Sequence, residues 1–165
     1  TTNLTLPALK NCDYLSARYT TNLTLPALES CNSLSALNST NLTLPSLESV
    51  DGYLDASNST GLTLPALPSC DFLDAENSTD LTLPSLTSVG LELYAENSTN
   101  LTLPALESCA SLSARKSTGL VVPAAITCKH RIPTKYLAAV PEQSHAEKAL
   151  SELQSNDETL NQGIK

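Results

Sequence analysis

Five cysteines and two histidines are the residues of this sequence with the clearest potential for chemistry. They are Cys12, Cys31, Cys70, Cys109, Cys128, His130 and His145. Cys128 and His130 could act as a nucleophile and its base, but no third residue is placed to orient them. No glycine-rich phosphate loop, zinc-binding helix motif or nucleophile elbow occurs. The sequence therefore predicts a protein that is not an enzyme and needs no cofactor.

The cysteines all occupy one position of a repeat, where Val50 and Val89 stand in two other copies. This exchange with valine indicates a small, buried apolar side chain. Two pairs fall in neighbouring copies, namely Cys12 with Cys31 and Cys109 with Cys128. Parallel stacking seldom offers disulfide geometry, and an odd count without zinc-like spacing favours reduced thiols. We therefore expect buried thiols in a cytoplasmic protein, with secretion left open because sequence could be missing at the N-terminus.

The elements that would position these residues come from an internal repeat. The motif Leu-Thr-Leu-Pro recurs every 19 or 20 residues, and a decayed copy ends at Pro123. Its prolines are Pro7, Pro26, Pro45, Pro65, Pro84 and Pro104. Each unit holds two apolar-polar-apolar runs, Leu-Thr-Leu and Leu-x-Ala, which is the periodicity of strands with their leucines on one face. The runs are too short for ordinary helices, and proline ends the first of them.

Such a unit cannot bury its own apolar edge, whereas stacked units can. At roughly 4.8 Å per unit, equivalent leucines would lie over one another in a narrow core. Units with valine in the cysteine position hold one extra residue beside Gly52 or Gly90, which indicates a local bulge. The sequence thus predicts an all-β solenoid of seven repeats, each of 19–20 residues, over residues 1–128.

The repeat pattern L-x-x-[C/V]-x-x-L-x-A…L-x-L-P, as in residues 28–45, resembles the leucine-rich repeat. It is most similar to the short bacterial type of about 20 residues, and the resemblance covers about residues 1–128. Asn38 stands one residue early, with Ser39 at the expected place, and Ala36 replaces a strand leucine. The resemblance implies that the Leu-x-Ala strand lines a binding surface. A curved horseshoe and a straighter two- or three-sided solenoid are both compatible with the pattern.

The Leu-x-Ala strand varies between units at its outward positions, whereas Leu-Thr-Leu-Pro barely changes. The variable positions hold a group of aromatic and acidic residues, namely Tyr14, Tyr53, Asp55, Phe72, Asp74, Glu76, Glu92, Tyr94 and Glu96. Rigid aromatic side chains and steering charge suit a protein-binding surface. We therefore predict an interaction scaffold of bacterial or phage type that binds another protein here. One version is an acidic inhibitor that mimics nucleic acid.

Two further interpretations of these positions stay open. The variable strand could be an ordinary solvated side of the solenoid that carries polar residues. Asp55 and Asp74, in neighbouring units, could hold a cation, but we expect solvated like charges and no metal site.

Threonine forms a second regular set, one per unit, at Thr5, Thr24, Thr43, Thr63, Thr82 and Thr102. Another threonine column runs through Thr21, Thr40, Thr60, Thr79, Thr99 and Thr118. Regular outward threonines resemble the ice-binding face of solenoid antifreeze proteins. An ice- or surface-binding protein is therefore the alternative function, although threonine is also a favourable strand residue for its own sake.

The net charge of −8 lies entirely in residues 1–118, which hold 4 basic and 12 acidic residues. This balance argues against nucleic-acid binding, and no apolar run is long enough to span a membrane. Residues 129–165 are predicted to form a C-terminal cap, with one helix at about 141–154 and a frayed tail. No matching N-terminal cap is present, which indicates either missing sequence or self-association through the uncapped first unit.

Overall fold

The computed structural model describes residues 5–123, 125–131 and 138–139. These residues form a parallel β-solenoid of about six coils, each coil being one repeat, and no helix occurs among them. The predicted all-β stacking of short repeats is therefore confirmed. The helix predicted at about 141–154 falls outside the described residues.

The variable Leu-x-Ala segments form one parallel sheet along the solenoid. The strands are β1 (Asn11–Ser16), β2 (Ser30–Ser35), β3 (Ser49–Val50), β4 (Tyr53–Asp55), β5 (Ser69–Asp74), β6 (Ser88–Tyr94), β7 (Ser108–Ser113), β8 (Val121–Val122), β9 (Thr127–Arg131) and β10 (Ala138–Ala139). Eight of them make the large sheet in the order β1-β2-β4-β5-β6-β7-β9, with β3 also paired to β2. Strands β8 and β10 form a separate parallel pair. Consecutive coils are thus joined by backbone hydrogen bonds along the solenoid.

Two ladders of single bridges supply the other sides of each coil. One joins Thr21, Thr40, Thr60, Thr79, Thr99 and Thr118, and the other runs from Thr5 through Thr24, Thr43, Thr63, Thr82 and Thr102 to Val121. Every coil therefore contributes to three parallel ladders. This arrangement matches the three-sided alternative for the solenoid.

Left-handed backbone makes two of the three corners. Ten residues other than glycine have φ between 53° and 58°, and Gly61 and Gly119 have φ of 69° and 65°. The first corner holds Tyr19, Asn38, Asn58, Asn77, Asn97 and Lys116, and the second holds Asn22, Asn41, Gly61, Asp80, Asn100 and Gly119. Asparagine, aspartate and glycine tolerate this conformation better than other residues do. The repeated asparagines are thus explained by backbone geometry.

Proline makes the third corner. In the coil around Pro45, the amide of Leu47 donates to the carbonyl of Leu44, which closes a tight turn with proline in its second position. Proline favours that position because its ring fixes φ near −65°. The Leu-Thr-Leu-Pro motif therefore ends one side of the coil and starts the next.

Leucine and alanine fill the single core. Leu25, Leu44 and Leu64 are fully buried at equivalent positions, and Ala36 is also buried at the position where the repeat replaces leucine. Each buried leucine contributes about 1.5–3 kcal/mol relative to an exposed one. The predicted column of stacked leucines is confirmed, and it holds the outer surface of the sheet in place.

A buried serine follows the first left-handed corner in five coils, and Thr20 takes its place after Tyr19. The hydroxyls of Ser78 and Ser98 donate to the carbonyls of Ala75 and Ala95, at 2.6 and 2.7 Å. This contact satisfies a backbone oxygen beside the corner. It also explains why asparagine stands one residue early in the repeat, because asparagine makes the exposed corner and serine faces the core.

The extra residues beside glycine are bulges, as predicted. At Gly90 the register of β6 shifts against both neighbouring strands between Val89 and Glu92. At Gly52 the pairing with β2 moves from Cys31 opposite Val50 to Leu34 opposite Leu54, which leaves one extra residue between β3 and β4. A β-carbon at Gly90 would lie 2.9 Å from the Asp71 carboxylate, so glycine permits a close approach there.

Candidate functional site

The outer surface of the eight-stranded sheet carries the predicted partner-binding residues. Tyr14, Tyr53, Asp55, Phe72, Asp74, Glu92 and Tyr94 lie on β1, β4, β5 and β6, while Glu76 and Glu96 follow two residues after the strands end. In each Leu-x-Ala segment the leucine and the alanine two residues later point into the core, so the residues on either side of that leucine lie on the opposite face. We call this surface the sheet face.

Tyr53 and Phe72 form an aromatic pair in the middle of the sheet face. They are register partners on β4 and β5, with ring centroids 6.2 Å apart and planes tilted by 54°. The Tyr53 hydroxyl donates to the Asp74 carboxylate at 3.0 Å. Burial, followed by this hydrogen bond and neighbouring carboxylates, raises the pKa of Tyr53. Tyr53 nevertheless exposes 40 % of its surface, so the pair offers a fixed apolar contact to a partner.

Four carboxylates lie near this pair: Asp74 and Glu76 on the coil of Phe72, and Glu92 and Glu96 on the following coil. Partial burial, then the charges of Asp74 and Glu96, raise the pKa of Glu76. The Tyr94 hydroxyl donates to Glu92, and this hydrogen bond is the main reason that the pKa of Tyr94 is raised. The carboxylates are therefore close enough to act on one another and on the phenols.

The central coils carry an excess of negative charge. Residues 19–114 contain 11 acidic residues and no lysine or arginine. Arg18 and Arg115 flank this segment on the same edge of the sheet face. A cationic surface would therefore be attracted to the middle of the solenoid.

Asp55 differs from the other predicted residues because it is only 6 % exposed. Its carboxylate accepts hydrogen bonds from the Ser35 hydroxyl at 2.8 Å and from the Ser57 amide at 3.1 Å. Arg18 donates to Ser35 at 2.8 Å and lies 3.9 Å from Asp55. Asp55 thus connects three coils, those of Arg18, Ser35 and Asp55 itself, and presents little free charge.

Tyr14 is separate from the central aromatic pair. It lies on β1, is 55 % exposed and pairs in register with Ser33 on β2. Because Ser33 occupies the intervening coil, Tyr14 stands two coils, or about 10 Å, from Tyr53. The structure therefore groups Tyr53, Phe72 and Tyr94 with the acids and leaves Tyr14 apart.

Two aspartates that directly follow the inward cysteine or valine were missed by the sequence prediction. Asp51 and Asp71 line a shallow cavity of about 280 Å³ together with the serines Ser49, Ser69 and Ser88. The signal was present, because these serines recur once per repeat next to the cysteine or valine. No group of three or more histidine, cysteine or acidic side chains suited to a metal occurs in the described part of the chain.

The cysteine column departs from the expectation of five reduced thiols. Cys109 and Cys128 form a disulfide, with their Cα atoms 5.0 Å apart on paired strands. That separation falls within the range that disulfides require, so parallel stacking does allow the bond here. Cys128 is therefore not a free nucleophile, and the Cys128–His130 pair considered from the sequence does not supply one.

Cys12, Cys31 and Cys70 remain thiols, as predicted for the column. Burial, followed by neighbouring negative charge, raises the pKa of Cys31 and of Cys70 to about 12. These two thiols are thus held in their neutral, weakly nucleophilic form.

The two threonine columns lie on different sides of the coil. A left-handed corner, Asn41 in one coil, separates Thr40 from Thr43. Most side chains of the column through Thr43 are half-buried. The columns are therefore regular along the solenoid but do not make one flat surface of two ranks.

No known family matches the sequence, and neither the curated proteins nor the solved structures include a significant match. Among the described residues, no helix is long and apolar enough to cross a membrane.

Proposed function

We propose that this protein is a non-catalytic interaction scaffold that binds a basic protein surface through its sheet face. The main support for the proposal is the Tyr53–Phe72 pair, in which Tyr53 is exposed, with carboxylates on the coil of Phe72 and on the following coil. Aromatic side chains provide large contact areas at a small entropic cost, and they dominate the binding energy of many interfaces. The nearby carboxylates would orient a basic partner and increase the rate at which it associates.

The rigidity of the sheet face supports this proposal. Its strands are hydrogen-bonded on both sides throughout the central coils, and Tyr53 is fixed by both Phe72 and Asp74. A surface that is already ordered loses little conformational freedom on binding. The face therefore suits a partner that docks as a rigid body.

The partner is a protein with clustered lysine or arginine residues. Residues 19–114 offer it only acidic and neutral side chains. In one version of the proposal the partner's basic surface is its own nucleic-acid site, and this protein blocks it as an acidic mimic. In either version, attraction weakens as salt screens the charges.

The proposal also includes the repeat type, the C-terminal cap, the location and the oligomeric state of the protein. The coil is of the short leucine-rich type, with seven repeats over residues 1–128 and residues 129–165 as a cap that includes a helix at about 141–154. The protein acts without a cofactor and has no catalytic residue. The cytoplasmic location expected from reduced thiols loses that support at the Cys109–Cys128 disulfide, which favours the secreted alternative. A second copy is a further partner, through the first coil.

Affinity capture with matched variants tests the sheet face. Wild type, the Tyr53→Ala/Phe72→Ala double variant and Tyr19→Asn would each be immobilised and exposed to extract of the source cells. Tyr19 is 68 % exposed but lies at a corner outside the sheet face, so it controls for the loss of an exposed aromatic. We expect wild type and the control to retain the same proteins, and the double variant to lose them. Salt should release the retained proteins. Equal capture by all three proteins would refute the proposal.

Ice or surface binding is the second candidate, favoured by the in-register threonine ladder through Thr24, Thr43 and Thr63. Thermal hysteresis measured on the purified protein separates the two functions, because a protein-binding scaffold produces none. If hysteresis is found, replacing Thr43 and Thr63 with leucine should abolish it, while the double variant of the sheet face should keep it.

A further inference from the structure

Cys12 and Cys31 stand in the same relation to each other as the two cysteines of the disulfide. Cys12 pairs in register with Cys31 across β1 and β2, just as Cys109 pairs with Cys128 across β7 and β9. All four occupy the same inward position of the repeat. The Cα separation of 5.0 Å at the C-terminal pair shows that neighbouring coils can be bridged at this position.

The third thiol has no such neighbour. Cys70 pairs in register with Val89, and Val50 fills the equivalent position of the preceding coil. The described column therefore has cysteine pairs near its two ends and an isolated cysteine between them.

Access to the N-terminal pair is unequal. Cys12 is half-buried, whereas only 2 % of Cys31 is exposed. Cys12 is thus the sulfur that a small dissolved reagent can reach, and Cys31 lies behind it in the next coil. This arrangement places an accessible thiol beside a second thiol that can resolve a mixed disulfide.

We propose that Cys12 and Cys31 form a second cross-strand disulfide in the presence of a low-molecular-weight disulfide such as oxidised glutathione. The Cys12 thiolate attacks one glutathione sulfur, forms a mixed disulfide and releases one glutathione thiol. The Cys31 thiolate then attacks the Cys12 sulfur and releases the second glutathione thiol. Two protein thiols are oxidised and one glutathione disulfide is reduced to two thiols, with the two protons passing to solvent and from there to the released thiolates.

The bond would join the first two strands of the sheet, β1 and β2. In the described part of the chain β1 pairs with β2 alone, so it depends on one set of backbone hydrogen bonds. A cross-link there would limit the separation of this edge strand and keep Tyr14 and Arg18 attached to the sheet face. The solenoid would then be fastened covalently near both ends.

The pairing can be mapped by peptide analysis after incubation with a glutathione redox buffer for hours. Long incubation is needed because burial raises the pKa of both thiols and leaves little thiolate at neutral pH. Cleavage after glutamate divides the cysteines among four peptides, residues 1–29, 30–48, 49–76 and 108–142. The last contains both Cys109 and Cys128, so it reports the existing disulfide internally.

We expect peptides 1–29 and 30–48 to be recovered as one linked species from monomeric protein. The number of free thiols should fall from three to one, with Cys70 remaining. The proposal would be overturned if the two peptides were recovered unlinked, if they were linked only between two chains, or if each carried one glutathione.

Two valine variants sharpen the result, because valine already occupies this position at Val50 and Val89. Cys70→Val should still link the two peptides and leave no free thiol. Cys31→Val should stop at the mixed disulfide of Cys12 with glutathione. On thermal unfolding, oxidised wild type should melt several degrees above its partly reduced form, and Cys31→Val should lose that difference.

Discussion

Asn77 offers a direct test of why the repeat contains asparagine at its corners. The backbone of Asn77 is left-handed, with φ of 53°, and its backbone N–H donates to the carbonyl of Glu96 in the next coil. The Asn77 side chain is exposed, and no side-chain hydrogen bond is seen for it within the described residues. Replacement by alanine therefore changes the conformational preference of the backbone and little else.

The expected cost follows from that preference. A β-carbon in the left-handed region costs roughly 1–2 kcal/mol, which asparagine offsets in part. We expect Asn77→Ala to lower the free energy of unfolding by about 1 kcal/mol, or the melting temperature by about 2–4 °C for a protein of this size. Asn77→Gly should change the free energy of unfolding by less than about 0.5 kcal/mol. Glycine adopts positive φ more readily than asparagine, but it also gives the unfolded chain more conformational freedom, and the two effects oppose each other.

Urea unfolding of the variants gives the free energies, and hydrogen exchange shows whether the loss centres on the altered corner. Asn32→Ala is the matched control, since Asn32 is an exposed asparagine within β2 and has no positive φ. Its free energy of unfolding should change by less than about 0.5 kcal/mol. If Asn77→Ala and Asn32→Ala have equal effects, the left-handed corner does not explain the asparagine.

Three further predictions concern single side chains. Ser78→Ala should lower the free energy of unfolding by about 1 kcal/mol, because it removes a buried hydrogen bond to a carbonyl. Ser39→Ala should be neutral or stabilising, since the Ser39 hydroxyl is buried without a partner. Urea unfolding of both variants measures the difference, and an equal loss would contradict the prediction. Lys116→Asn should raise the free energy of unfolding by up to about 1 kcal/mol, because Lys116 has φ of 58° where central coils have asparagine; an unchanged urea midpoint would count against the corner rule. Because folding raises the pKa of Tyr53, the contribution of Tyr53 to stability is complete below pH 10 and declines as the pH rises above that value. Tyr53→Phe should therefore make the melting temperature fall less steeply with pH in the alkaline range. An unaltered pH dependence would show that Tyr53 does not cause the decline.

The architecture was predictable because one short pattern recurs so often. Every repeat has leucine at equivalent positions, and stacking places Leu25, Leu44 and Leu64 at one level of the core. The exchange of cysteine with valine likewise indicated an inward position, and the glycines at the longer units indicated bulges. These features depend on the periodicity of one unit, which a single sequence displays directly.

Other features depend on contacts between coils that the repeat does not specify. Asp55 is buried because Ser35 and Arg18, in the preceding coils, turn toward it. The Cys109–Cys128 disulfide requires the two side chains to face each other at a particular separation, which spacing alone does not reveal. The cluster of Tyr53, Phe72 and Asp74 was predicted as a set of outward residues, but its hydrogen bond and ring contact depend on side-chain orientation.

The bulges beside Gly52 and Gly90 have a consequence for how this protein can diversify. Both extra residues lie between the inward valine and the next leucine, on the side of the coil that carries the variable residues. The other two sides keep a constant length, because threonine bridges and corner residues recur in fixed register there. Insertions are thus accommodated where they change the shape of the sheet face, and longer loops could be grafted at Gly52 while the leucine core keeps its spacing.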